Sequence, residues 1–322
     1  MKRVQTITPS YFGKIPSKDD FMTSAGADHR LVRRLDHWLA ECMARLSEHP
    51  GWQTAYDASE SFDVLAATTH SRNVAAGTCL PSHDAAGRRC PMLACLRVQS
   101  RTPMAFAATA PIALGTLWSC LQHDLSQLKT LQDTGSSLQR MGTTPMLINA
   151  DKRPHDEALR EYMSTESAIH LDALLVSAGH ATKTSNVLAA LHALLNGVAA
   201  EPYLPISRGL ILPLPADPMR RTRVAAFWMT QLLPYLGKRD IEVVALLTRT
   251  PTPRLVISLD GTRGTELMAA TMPAWVADAY IDLTCAPSPG ELLPNVPQSP
   301  HACLQRLSEA FLSHARKPNP CE

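Results

Sequence analysis

The sequence has no long apolar run. No window comes near the ~18 to 20 uninterrupted apolar residues of a membrane-spanning helix, and the best runs, such as Val243 to Leu247, are strand-sized. Nor does Met1-Lys2-Arg3 lead into an apolar stretch of the kind a signal peptide needs. Both absences predict a soluble, cytoplasmic protein with no membrane insertion. A charge excess is missing too: 31 basic against 29 acidic side chains leave a formal charge of +2. That is too little for a surface neutralising several phosphates, so no nucleic-acid partner is expected. The eight cysteines, at 42, 79, 90, 95, 120, 285, 303 and 321, include no CxxC, and no HxxxH or HExxH accompanies them. This excludes the common zinc frameworks and favours free thiols in a reducing compartment. Neither a metal site nor a cofactor site is predicted.

What is there is globular: 45% of 322 residues are hydrophobic, enough for one large domain or two ordinary ones. Leu31, Val32, Leu35, Trp38, Leu39, Cys42, Met43 and Leu46 recur at helical spacing, and Pro50-Gly51 stops the helix. Strand-like runs follow at Phe62 to Ala67, Val74 to Leu80 and Met92 to Val98. A second helix is expected over about 113 to 131, and a loop from Gly135 to Pro154. The later part reads as a short helix from about 154 to 163, a strand near 169 to 176 and a helix from about 186 to 199. A strand at Gly209 to Leu214 and a helix carrying Trp228 follow. A hairpin of strands at 241 to 248 and 254 to 259 and a helix over 264 to 271 complete this half. Five prolines between 287 and 300 read as a semi-rigid linker, with Ser299 capping and Pro300 opening a terminal helix.

The expected fold is therefore mixed α/β: an N-terminal helix, a three-stranded antiparallel meander and a helix, longin-like by analogy, joined to a second α/β half. The organisation expected is residues 1 to 150, then 151 to 286 packed on the first, then 287 to 322 as linker and C-terminal helix. One sheet running through both halves is compatible with this reading.

Three polar loops are the candidates for chemistry. Gly13-Lys14-Ile15-Pro16-Ser17-Lys18-Asp19-Asp20-Phe21 offers a lysine, paired carboxylates and a turn glycine; Phe21 is expected to anchor it in the core. Adjacent aspartates lack the distinct environments that an acid/base pair requires. Pro81-Ser82-His83-Asp84-Ala85-Ala86-Gly87-Arg88-Arg89-Cys90-Pro91 holds Ser, His and Asp side by side, but neighbouring side chains diverge and cannot relay a proton. Its better reading is a hairpin loop in which Asp84 caps the turn, Gly87 supplies a left-handed residue and Arg88 pairs with a first-loop carboxylate such as Asp20. Gly179 to Ser185 lies where a phosphate loop would, yet Thr182 stands where GxxxxGK[ST] needs glycine. Helix capping accounts for it better. No catalytic set emerges.

The first loop, with the helix bearing Trp38, resembles the N-terminal signature of the TagF family, an aromatic-Gly-Lys-hydrophobic-Pro-Ser/Ala-x-x-Asp-Phe segment. Pro81-Ser82, Asp84, Gly87-Arg88 and Pro91 are similar to the family's second signature. The resemblance covers residues 10 to about 130, with Asp19 where the family usually has glycine and Cys90 where it has an aromatic. It implies a cytoplasmic post-translational repressor of type VI secretion that binds a forkhead-associated (Fha) scaffold protein and is tied to a PP2C-like phosphatase. The rivals are a phosphatase-like hydrolase using Asp19, Asp20, His83 and Asp84, and an adaptor recruiting a partner through its C-terminal helix.

Overall fold

The computed structural model describes residues 4–24, 26–131, 134–200, 206–236, 240–285 and 302–315. In chain order they form β1 (Val4–Ile7), β2 (Ser10–Gly13), β3 (Met22–Thr23), α1 (His29–Ser47), α2 (Trp52–Asp57), β4 (Phe62–Thr68), β5 (Asn73–Leu80) and β6 (Met92–Gln99). Then come α3 (Pro103–Leu128), α4 (Gly135–Thr143), β7 (Met146–Asn149), α5 (Lys152–Thr165), α6 (Ala168–Ser177), α7 (Thr184–Ala200), β8 (Gly209–Pro213) and α8 (Pro218–Leu236). The last elements are β9 (Glu242–Thr248), β10 (Arg254–Ser258), α9 (Glu266–Thr271), a short 3₁₀ turn (Pro273–Val276), β11 (Tyr280–Asp282) and α10 (Leu304–Ala315).

Among the described residues nine strands make one sheet in the order β11-β8-β10-β9-β4-β5-β6-β2-β3, while β1 and β7 pair separately. The meander β4-β5-β6 and the hairpin β9-β10 form as their alternating apolar residues require. Antiparallel pairing of β4 with β9, Phe62 opposite Thr248 through to Thr68 opposite Glu242, joins the two into one sheet. Because successive side chains leave opposite faces, Leu65, Val74, Leu96, Ala245 and Ile257 enter one core with α3, α5, α7, α8 and α10. Val64, Cys79, Leu93, Val244 and Val256 enter the other, beneath α1 and α9.

Three expectations need correcting. The strand expected near 169 to 176 is α6: its isoleucine and valine content looks strand-like, but Leu171 and Leu175, one helical turn apart, carry the burial, and the Ser167 side chain accepts from His170 N. The stretch read as loop from 135 contains α4 and β7, the latter held as a strand by β1. The second helix starts at Pro103, ten residues before the start expected at about 113, since its opening turns are alanine-rich and buried. That helix bends by 59° between Ala113 and Gly115, just after Pro111, as removal of a backbone donor from a helix interior dictates. No single described helix is long and apolar enough to cross a membrane. The proline-rich stretch, with Ser299 and Pro300, lies outside the described residues. The helix that follows starts at Leu304 and buries Leu304, Leu307 and Phe311.

One buried ion pair sits at the junction of the meander and the hairpin. Arg249, just after β9, places Nη2 2.7 Å from both carboxylate oxygens of Asp63 on β4 and Nη1 2.6 Å from Gln122 Oε1 on α3. Thr78 on β5 donates to Asp63 Oδ1 at 2.9 Å. Burial pushes the Asp63 carboxyl up, and the guanidinium and hydroxyl oppose that push. Removing one partner strands a charge in the core, so Arg249→Met is expected to cost about 3 to 5 kcal/mol. Asp63→Leu combined with Arg249→Met is expected to cost clearly less than the sum of the single changes, measured by urea denaturation.

Candidate functional site

Pairing of β2 with β6, Tyr11 opposite Ala94 and Phe12 opposite Leu93, delivers the loop after β2 to the end of the loop between β5 and β6. Contact is made at Gly13. Its φ is +126°, and a Cβ built there would lie 2.1 Å from the carbonyl oxygen of Pro91, so only glycine lets the strands close at this point. Lys14 then extends across the gap and places Nζ 2.8 Å from Asp84 Oδ2.

Asp84 is the hub of the second loop. Its side chain is fully buried. Arg88 N donates to Oδ1 at 2.8 Å and Arg88 Nε to Oδ2 at 2.7 Å. Gly87, at φ +78°, returns its own N–H to Asp84 O at 2.9 Å. Burial acts to raise the Asp84 carboxyl, but the bonds from Lys14 and from the Arg88 backbone and guanidinium outweigh it and hold the group well below the usual carboxylate range. The two loops are also joined by backbone: Ala85 N donates to Lys18 O at 2.9 Å, and Arg88 Nη2 to Asp19 O at 3.0 Å. Ser17 Oγ lies 3.3 Å from Thr134 Oγ1.

Two anchors escaped sequence reasoning. Tyr56 on α2 donates its hydroxyl to Ser82 O at 3.0 Å and accepts from Ser82 N at 2.9 Å, fixing the start of the second loop. Arg89 binds both oxygens of Asp57, at 2.8 and 2.5 Å. The only trace in the sequence is Trp52 and Tyr56 at i, i+4 on a short helix. The loops do meet as expected, and Asp84 and Gly87 act as the turn chemistry required. The partner expected for Arg88 is different, however. The first-loop contact is the Asp19 carbonyl, and the carboxylate is Asp84 of its own loop, because the tight turn sets residues 84 and 88 together before any long-range contact forms. Asp20 is exposed, and Phe21, expected in the core, is 45% exposed with its ring 6.2 Å from that of Phe12.

The signature residues thus divide. Gly13, Lys14, Pro16, Ser17, Pro81, Ser82, Asp84 and Pro91 are buried or half-buried framework. Asp19, Asp20, Phe21, Gly87 and Arg88 form an exposed tip. Trp38 belongs to neither: buried on α1, it donates Nε1 to Glu266 Oε2 at 3.1 Å. His83 Nδ1 lies 2.8 Å from the Asp84 carbonyl oxygen, and Ser82 Oγ is buried without a hydrogen-bond partner among the described residues, so Ser82, His83 and Asp84 make no proton relay there. No group of three or more His, Cys, Asp or Glu suited to a metal occurs among the described residues. In the third loop the helix-start reading stands, although the cap comes from afar. Asp172 on α6 accepts from both the N–H and the hydroxyl of Thr184, at 2.7 and 2.6 Å.

A carboxyl held low in the folded state stabilises above its unfolded pKa of about 3.9 and loses that contribution as pH falls through the lower folded value. Asp84→Asn is therefore expected to be less stable than the parent from pH 8 down to about pH 5, the gap closing below about pH 4. Thermal melts across that range measure it. Gly13→Ala is expected to lose more than ~1 kcal/mol, since the new methyl meets backbone.

No curated protein matches this chain in sequence. Among solved structures it is similar to the crystal structure of PA0076 from Pseudomonas aeruginosa PAO1, with 19% identity and a TM-score of 0.36. That match covers 43% of this chain and 63% of the other, so it spans less than two thirds of that protein. Residues 10–141 match the family model of the TagF N-terminal domain, type VI secretion system-associated. The matched segment contains both loops, their framework and the Trp38 helix, and it is in this segment that the chain is similar to the TagF N-terminal domain.

Proposed function

We propose that the protein is a non-enzymatic negative regulator of type VI secretion that acts in the cytoplasm by binding a forkhead-associated scaffold protein through the tip of its two joined loops. The observation that carries this reading is the division of labour within the signature. Buried groups neutralise one another around Asp84, while Phe21, Asp19, Asp20 and Arg88 are left to solvent. A partly exposed aromatic flanked by charges of both signs is the composition of a protein-contact surface. A chemical site would need at least one activated group. Here the buried carboxylate is already saturated by a lysine and an arginine, and the exposed aspartates, adjacent in one loop, lack the distinct environments that would divide acid and base roles between them. A functional link to a PP2C-like phosphatase fits the same reading as a second binding relationship.

The test separates tip from framework. Phe21→Ala is expected to melt with the parent yet retain less than about a tenth of its capture of the scaffold protein, as removal of a central aromatic anchor does. In cells lacking the native copy, the same variant is expected to leave secretion of a type VI tube component unrepressed. Full capture and full repression by Phe21→Ala, or turnover of a generic phosphatase substrate by the parent, would sink the reading.

A further inference from the structure

On the α1 face of the sheet lies a cleft of about 380 Å³, remote from the two loops. Its floor is one cross-strand row, Val244 on β9, Ala66 on β4, Ala75 on β5 and Arg97 on β6, each opposite the next. The two central alanines create the space, because α1 cannot descend onto side chains that short. The neighbouring row along the same face, Leu246, Val64, Gly77 and Cys95, is filled by α1 and α9 packing. Leu31, Leu35 and Trp38 of α1 form an apolar wall. Four strands at about 4.8 Å spacing make the row ~14 Å long, enough for about four residues of extended chain. A cleft of that form, long and open along one side, suits a peptide better than a compact molecule.

Its charge is one-sided. Arg30 and Arg34, one turn apart on α1, and Arg97 at the β6 end stand on the rim, against Glu242 as the one carboxylate among the lining residues. Arg34 gives a single nitrogen to Glu242 at 3.1 Å, and Arg97 gives one to Asp28 at 2.6 Å. Arg30 has no carboxylate partner among the described residues. Guanidinium groups present five donors in a planar fork, so all three retain donors for further carboxylates. The protein as a whole carries only +2, which makes the rim a local feature.

We propose that this cleft binds a short acidic segment of a partner protein, with an apolar side chain resting on Ala66 and Ala75 and its carboxylates on Arg30, Arg34 and Arg97. The inference rests on the protein-binding reading above and adds the chemistry of what is bound. It is tested on the full chain by fluorescence anisotropy, with a fluorescein-labelled peptide of alternating glutamate and leucine and its lysine–leucine counterpart. The glutamate peptide is expected to bind at least about tenfold more tightly than the lysine peptide, with affinity falling as salt is raised. Arg30→Glu with Arg34→Glu, both on an exposed helix surface, is expected to melt with the parent and weaken glutamate-peptide binding and scaffold capture by about tenfold or more. Ala75→Leu, which fills the cleft without touching its charge, is expected to weaken the same binding.

Equal binding of the two peptides would overturn the proposal. So would unchanged affinity in the charge-reversed and filled variants, or displacement of the peptide by dodecanoate, which would assign the cleft to small anionic amphiphiles. Scaffold capture and repression that survive charge reversal would overturn it while leaving the regulatory reading intact. Normal discrimination between peptides by a parent that captures no scaffold would do the reverse.

Discussion

The pairing of β4 with β9 is the constraint on which the rest of the molecule depends. It turns a meander and a distant hairpin into one sheet, and so creates the two faces on which every large helix packs. The Asp63–Arg249 pair lies at one end of that seam and ties it to α3 through Gln122. Such a pair adds little net energy once desolvation is subtracted, but it is intolerant of mismatch. Its contribution is register: a slip of one residue would turn Asp63 to the opposite face and leave Arg249 without a counter-charge.

The loop pair applies the same principle on a smaller scale. Lys14, Asp84 and Arg88 satisfy one another, so the loops hold their shape without drawing on whatever binds outside them. Lys14 is mostly covered, whereas Arg88 remains largely in solvent. The pocketed ammonium is thus the structural partner, and the guanidinium has both a structural and an outward role. Preorganisation of this kind lowers the entropy lost on association, which is the usual reason for a rigid loop beneath a contact surface.

What the sequence disclosed followed from local periodicity. The α1 stripe, the three meander strands and the β9-β10 hairpin are patterns contained in a single window, and each was legible with its ends within a residue or two. α6 was not, because Ile169, Leu171, Leu174, Leu175 and Val176 leave too few polar positions to reveal a 3.6-residue period. The short β2 and β7 were not, since four residues are strands only by virtue of what pairs with them. In the site, turn chemistry identified Asp84 and Gly87 correctly. The choice between Asp20 and Asp84 for Arg88 was decided by a competition between a loop contact and a local i, i+4 contact, which composition cannot rank. The Tyr56 hook on Ser82 joins elements 26 residues apart and leaves no pattern at all.

The seam also has a consequence in time. The segment matching the TagF N-terminal domain ends at Met141, far short of the strand that completes its sheet. At a translation rate of about 5 to 20 residues per second, on the order of ten to thirty seconds separate the emergence of Leu80 from that of Arg249. Throughout that interval the nascent chain carries an open β4 edge and an aspartate without its cation, so its exposure to misassociation is set by the ribosome's pace rather than by its own folding rate.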